Sequence, residues 1–164
     1  MKILVFSDSH SALSFMRRCV DRIKPQAIVH LGDYYEDALA LQEDYGHIPF
    51  HIVAGNCDRY RCPLSAREML CYPVCGVMLF MAHGHNHQVK SGIGAFTADA
   101  RRYGAKAALY GHTHKADCHL EEDLWVLNPG SCGYYGGSAG LIETDGIKIT
   151  GCRIITQSDL EEWL

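Results

Sequence analysis

Short apolar runs, each closed by a glycine or a polar cluster, punctuate the first two thirds of this chain. Residues 2–7 run into Asp8-Ser9-His10, residues 27–31 into Gly32-Asp33, and residues 50–54 into Gly55-Asn56-Cys57-Asp58. Runs of this length bounded by turn residues predict buried strands. Between the first two, Leu13, Met16, Cys19, Val20 and Ile23 recur at helical intervals until Pro25. That pattern predicts a helix over 12–23. A second helix is expected over 36–44, with its acidic residues outward. Strand alternating with helix points to a parallel sheet in the first third.

The pattern then changes. Residues 69–72 and 74–82 flank Pro73 and predict neighbouring strands rather than another crossover unit. A helix is expected over 93–103 with Ile93, Phe96 and Ala100 inward, ended by Gly104. Residues 107–110 predict a strand that delivers Gly111-His112-Thr113-His114. The remainder is β-like at 117–120, 124–128, 139–144 and 147–155, with Asp145-Gly146 a hairpin turn. SDLEEWL, at 158–164, predicts a short serine-capped helix. Two mixed sheets packed together with helices outside is the architecture these elements favour, in one domain spanning 1–164.

Composition narrows the classes of function. A formal net charge of −4 and the lack of a long basic run argue against broad nucleic-acid binding. The longest apolar run, 77–82, is far too short to span a bilayer. The start, MKILVFSDSH, has the lysine and apolar run of a short signal peptide. It lacks a small-residue cleavage site and is read as a first core strand. Eight cysteines are expected to be reduced thiols of a cytoplasmic protein. The spacings of Cys57, Cys62, Cys71 and Cys75 fit no common zinc pattern. Oligomeric state is left open, a homo-oligomer included.

The polar clusters sit where strands open into loops, the place where a rigid scaffold presents functional side chains. Together they supply carboxylate, imidazole and amide groups, a set suited to divalent metals of intermediate hardness. Asp8 and His10, two residues apart, project to one side of an extended segment and can share an ion. Asp33 is placed to bridge two ions. Asn56 offers a neutral amide oxygen, and His83, His112 and His114 complete two shells.

In order and spacing these blocks resemble the calcineurin-like metallophosphoesterases: D-x-H, G-D, G-N-x-D, H-G-H and G-H-x-H, running from Asp8 to His114. Asn128-Pro129-Gly130-Ser131 is similar to a segment of the small YfcE-type phosphodiesterases. The resemblance implies an α/β, four-layer α-β-β-α sandwich of two mixed β-sheets flanked by helices, in a single metallophosphoesterase domain. It also implies two divalent ions, with Mn²⁺ the leading choice and Ni²⁺, Fe²⁺ or Zn²⁺ the alternatives. Asp8, His10, Asp33 and His114 would hold one; Asp33, Asn56, His83 and His112 would hold the other. The implied reaction is hydrolysis of a small phosphodiester by attack of metal-bound hydroxide. Two such ions, two carboxylates and one hydroxide leave a single positive charge, matched to a phosphodiester anion.

One position departs from the family pattern. Where many members carry a histidine that protonates the leaving group, this chain has Cys57. A neutral thiol is a weak donor, so activated or aryl-type diesters are the expected substrates, with His85 or His87 as stand-in acids. Asp58 is expected either to orient a histidine ligand or to cap its loop. Tyr34-Tyr35, Tyr134-Tyr135 and Arg59 are candidate substrate contacts. The competing reading from another class is a non-catalytic protein-interaction scaffold of the same fold, like the retromer subunit.

Overall fold

The computed structural model describes residues 1–162 of the chain. Strand β1 (Lys2–Phe6), helix α1 (Leu13–Ile23), β2 (Ala27–His30), α2 (Tyr35–Asp44) and β3 (Phe50–Ile52) follow the alternation in the sequence. They are succeeded by β4 (Met69–Val74), β5 (Val77–Ala82), α3 (Gly94–Arg102) and β6 (Ala107–Leu109). The chain continues through β7 (Asp117–Glu121), β8 (Leu124–Asn128), β9 (Ser138–Thr144), β10 (Ile149–Thr156) and α4 (Gln157–Glu162). Trp163 and Leu164, the end of the helix expected over SDLEEWL, lie outside the described residues. At its start, the backbone N–H and the hydroxyl of Thr156 donate to Asp159 Oδ2. The serine cap expected there is thus replaced by a Thr156–Asp159 pair.

Two five-stranded mixed sheets result, ordered β10-β9-β1-β2-β3 and β4-β5-β6-β8-β7. In the first, β1, β2 and β3 are parallel and β9 pairs antiparallel with β1, Lys2 opposite Glu143. In the second, β5, β6 and β8 are parallel, with β4 and β7 as antiparallel edges. The period-2 alternation of each strand sorts its side chains between layers. Ile3, Val5 and Val29 meet Leu79, Met81, Leu109 and Leu127 between the sheets. Leu4, Phe6 and Ile28 turn the other way, onto Phe15, Met16, Cys19 and Val20 of α1. Phe80, Ala108 and Val126 face Phe96 and Ala100 of α3. Each fully buried leucine, isoleucine or phenylalanine contributes ~1.5–3 kcal/mol. The chain therefore forms the four-layer α-β-β-α sandwich.

Pro73 does not separate two strands. It lies inside β4, and the reversal falls at Cys75-Gly76, with φ of 48° and 84°. An edge strand tolerates proline because one of its sides needs no N–H donor. Among the described residues no helix is long and apolar enough to cross a membrane.

The parallel strands deliver their carboxyl ends to one rim. The loops after β1, β2, β3, β5, β6 and β8 all open there, and they carry the polar clusters.

Candidate metal centre

Asp8 is fully buried just beyond β1. Its Oδ2 accepts from the Ser7 hydroxyl at 2.6 Å and the His112 backbone N–H at 3.1 Å. Its Oδ1 has no hydrogen-bond partner, although His114 Nε2 stands 3.0 Å away and His83 Nε2 3.9 Å. His83 Nε2 is likewise unpartnered, 3.4 Å from Asp33 Oδ2, and so is His10 Nε2. A buried polar atom without a partner costs ~1–3 kcal/mol, more if charged. Three of them, an oxygen and two nitrogens, in one rim fit a cation. One set of ligand atoms within 4.8 Å of one another comprises Asp8, His10 and His114, and another Asp8, Asp33 and His83. Asp8 is common to both sets, while Asp33, expected as the bridge, falls in the second.

The backbone is strained where these groups sit. Asp8, His10, Asp33, His112 and His114 have φ of 50°, 44°, 57°, 67° and 59°. A left-handed conformation costs a non-glycine residue about 1–2 kcal/mol, and it persists only where the surroundings impose it. Two glycines permit the close approaches. A Cβ on Gly55 would collide with the Asp33 carboxylate, and one on Gly111 with the Ser7 hydroxyl.

His83 donates from Nδ1 to the Leu31 carbonyl at 2.8 Å, which leaves the Nε2 lone pair facing the carboxylates. Burial alone would raise the Asp33 carboxyl. The adjacent His83 imidazole and the Cys57 amide outweigh it and hold the group well below the usual carboxylate range. Burial lowers His10, His85 and His112, and a neighbouring imidazole adds to it, His114 for His10 and His83 for the other two. Neutral imidazoles are the form that ligates metal.

The remaining candidates line the same rim. The His112 ring lies 5.1 Å from that of His83, and the His85 ring 5.5 Å. Asn56 is exposed, its amide 3.5 Å from Cys57 Sγ, and shares a hollow of about 410 Å³ with Arg59, Glu68 and His85. Cys57 is exposed; its backbone N–H donates to Asp33 Oδ1 at 2.9 Å. Partial burial and the Asp33 carboxylate push its thiol up to about 11, so it stays protonated near neutral pH. His87 is elsewhere, 3.1 Å from Asp99 and edge-on to Phe80 and Phe96 beneath α3. Tyr34 packs against His10, with ring centroids 4.6 Å apart, and Tyr35 is buried.

Asp58 acts on backbone rather than on imidazole. Fully buried, it accepts from the N–H groups of Asp33, Gly55 and Tyr35 at 2.8, 2.7 and 2.9 Å, tying two ligand loops together. Several positioning residues went unread in the sequence. His30, fully buried, accepts from Gly32 N–H at Nδ1 and lies 3.1 Å from Ser9 Oγ, which donates to Asp37. The one signal for it is a histidine inside an apolar strand. Asn128 bonds the Gly111 carbonyl, Thr113 Oγ1 and Gly130 N–H, and Ser131 Oγ donates to the Asp8 carbonyl at 2.7 Å. The Asn128–Ser131 segment stands out in the sequence, but nothing local shows what it grips.

The chain is similar in sequence and fold to known proteins. Phosphodiesterase MJ0936 from Methanocaldococcus jannaschii is 26% identical over 169 residues, covering 88% of this chain and 94% of that protein. The solved structure of YfcE, a phosphoesterase from E. coli, superposes with a TM-score of 0.63 at 20% identity, covering 93% and 98%. The zinc complex of Vps29 from Entamoeba histolytica gives 0.73 at 18% identity, covering 95% and 99%. The model of the calcineurin-like phosphoesterase superfamily domain matches residues 1–145. With that match over most of its length, the chain belongs to the calcineurin-like phosphoesterase superfamily.

Proposed function

We propose that the protein is a metal-dependent phosphodiesterase that hydrolyses small phosphodiesters with two divalent ions held at the rim. The observation that carries this reading is the convergence of Asp8 Oδ1, His10 Nε2 and His83 Nε2, all buried and all without partners. Asp8, His10, Asp33 and His114 hold the first ion, and Asp33, Asn56, His83 and His112 the second, with Mn²⁺ the leading candidate. When bound, such ions acidify water and withdraw charge from phosphoryl oxygens. The chain's own part is positioning: Asp58 fixes the Asp33 and Gly55 loops, Asn128 fixes the Gly111–Thr113 turn, and Ser131 holds the Asp8 backbone. Arg59 and His85, beside Asn56, supply cationic and polar groups for the anionic product. The similarity to phosphodiesterase MJ0936 supports the diester as substrate.

The test is metal analysis joined to hydrolysis of a 4-nitrophenyl diester. Turnover that needs a divalent ion and falls at least a hundredfold in Asp33→Ala supports the assignment. Full activity with both metals retained in Asp33→Ala removes it. No turnover with any divalent ion leaves the Vps29-like alternative, an interaction scaffold of this fold.

A further inference from the structure

Beside the metal rim, on the His114 side, lies an open groove of about 580 Å³ with mostly apolar walls. His114, Ala116, Tyr134, Tyr135, Ile154 and Thr156 line it, bringing together loops and a strand far apart in sequence. His114 belongs to both places: one edge lies against Asp8, and its ring face stacks on Tyr134, with centroids 5.3 Å apart and planes 18° apart. Tyr134 also meets the His10 ring at 4.6 Å. A flat group in this groove would therefore hang from a phosphate at the rim.

The tyrosines are presented deliberately. Tyr135 is 90% exposed and has φ of 54°, and Gly136 and Gly137 follow at 85° and 82°. Gly137 N–H closes the turn on the Tyr134 carbonyl at 3.0 Å. The turn is fastened to the centre, because Ser131 Oγ accepts from the N–H groups of Gly133 and Tyr134 while donating to the Asp8 carbonyl. A strained turn that holds an aromatic ring in water has no packing purpose of its own.

The opposite end of the rim differs. Asn56, Arg59, Glu68 and His85 form a polar hollow next to Cys57. A departing alkoxide or phenolate carries charge and is served by that end. An apolar groove suits the substituent that stays on phosphorus and remains neutral.

We infer that the groove between the Tyr134-Tyr135 turn and β10 is a specificity subsite for a flat aromatic ring, aryl or nucleobase, on the retained ester substituent of the diester. This rests on the phosphodiesterase reading and names its substrate class. Tyr134 and Tyr135 offer ring faces, Ile154 and Ala116 the floor and side, and His114 sets the distance to phosphorus.

Three diesters with the same 4-nitrophenolate leaving group test it: the methyl, the phenyl and the thymidine 5′ esters. The aromatic esters are expected to exceed the methyl ester in kcat/KM by about tenfold. Tyr135→Ala, and Ala116→Trp, which fills the groove, should pull that ratio down about tenfold, and Tyr135→Phe should keep it. Preference for the thymidine ester over the phenyl ester identifies a nucleoside, and the reverse a simple aryl group. A second readout needs no turnover: in Zn²⁺-loaded protein, diphenyl phosphate should shift the backbone amide resonances of residues 134–138 and dimethyl phosphate should not. Turnover with a ratio unchanged in both variants, and no such shifts, overturns the subsite and leaves the hydrolase. Shifts without hydrolysis of any ester overturn the hydrolase and with it the role in specificity, leaving a groove that binds aromatic rings.

Discussion

The Nδ1–H of His83 donates to the Leu31 carbonyl at 2.8 Å, so it is the Nε2 lone pair that faces Asp33 and Asp8. Without metal those carboxylates outweigh burial and favour a proton on Nε2; a metal ion that takes the proton's place between them should add directly to stability. At metal a hundredfold above its Kd the gain is about 2.7 kcal/mol. Calorimetry with and without a chelator should show a reversible fall in Tm, and His83→Gln should lose most of the response. A Tm indifferent to chelation in the parent protein would rule out the centre.

Cys57 holds its proton near neutral pH, and it is the backbone of this residue, not its sulfur, that bonds Asp33. Cys57→Ala should therefore keep most of the turnover on a 4-nitrophenyl diester. Cys57→His should raise turnover about tenfold or more on a diester with an alkyl leaving group, where protonation matters. Loss of nearly all aryl diester turnover in Cys57→Ala would contradict this.

The His30 ring is neutral and held by Gly32 and Ser9. Burial, and then the nearby His83, lower its pKa from 6.5 to about 3. A histidine depressed on folding binds its proton more readily in the unfolded chain. Its stabilisation is thus complete above pH 6.5 and declines as pH falls toward about 3. His83 acts with the opposite sign, because Asp33 and Asp8 outweigh its burial and raise it. Histidine NMR titration separates the two: the His30 signals should not move between pH 7.5 and 5. A midpoint near 6.5 would refute the assignment.

Cys118 and Cys152 join the sheets at their edges, β7 to β10, with sulfurs 3.2 Å apart. Their shared hydrogen bond favours ionisation of Cys118 and opposes that of Cys152. Mild oxidation with diamide should consume these two thiols first and form an intramolecular disulfide. Closing that loop should add about 3–4 kcal/mol to stability. Peptide mapping that finds the pair still reduced, with other thiols oxidised, would count against it.

Strands, helices and the polar blocks at the strand ends were legible because each is local: an apolar run, a period, a glycine before a carboxylate. What stayed open or went astray lies where a partner decides. Pro73 reads as a break, yet β5 alone makes β4 a strand. For Asp58 the sequence leaves two roles open, a partner for histidine or a loop cap, and only the fold shows its oxygens on three amides from two loops. Whether Asp8 or Asp33 stands between the two ligand sets depends on how β1, β2 and β5 align at the rim, which no spacing records. The groove beside His114 is built from residues around 115, 135 and 155, and only the folded chain brings them together.

Sheet order also sets a schedule. β1, which leads into Asp8, lies between β2 and β9, and the Asp8 carbonyl accepts from the Ser131 hydroxyl. During synthesis from the amino end, β1 to β3 emerge early, but one flank of β1 stays unpaired until residues 138–144 are made. Such distant pairings close late in folding. The carboxylate common to both clusters is therefore held in place only after most of the chain has been translated, and on the proposed function loading with metal would be a late event in the protein's maturation.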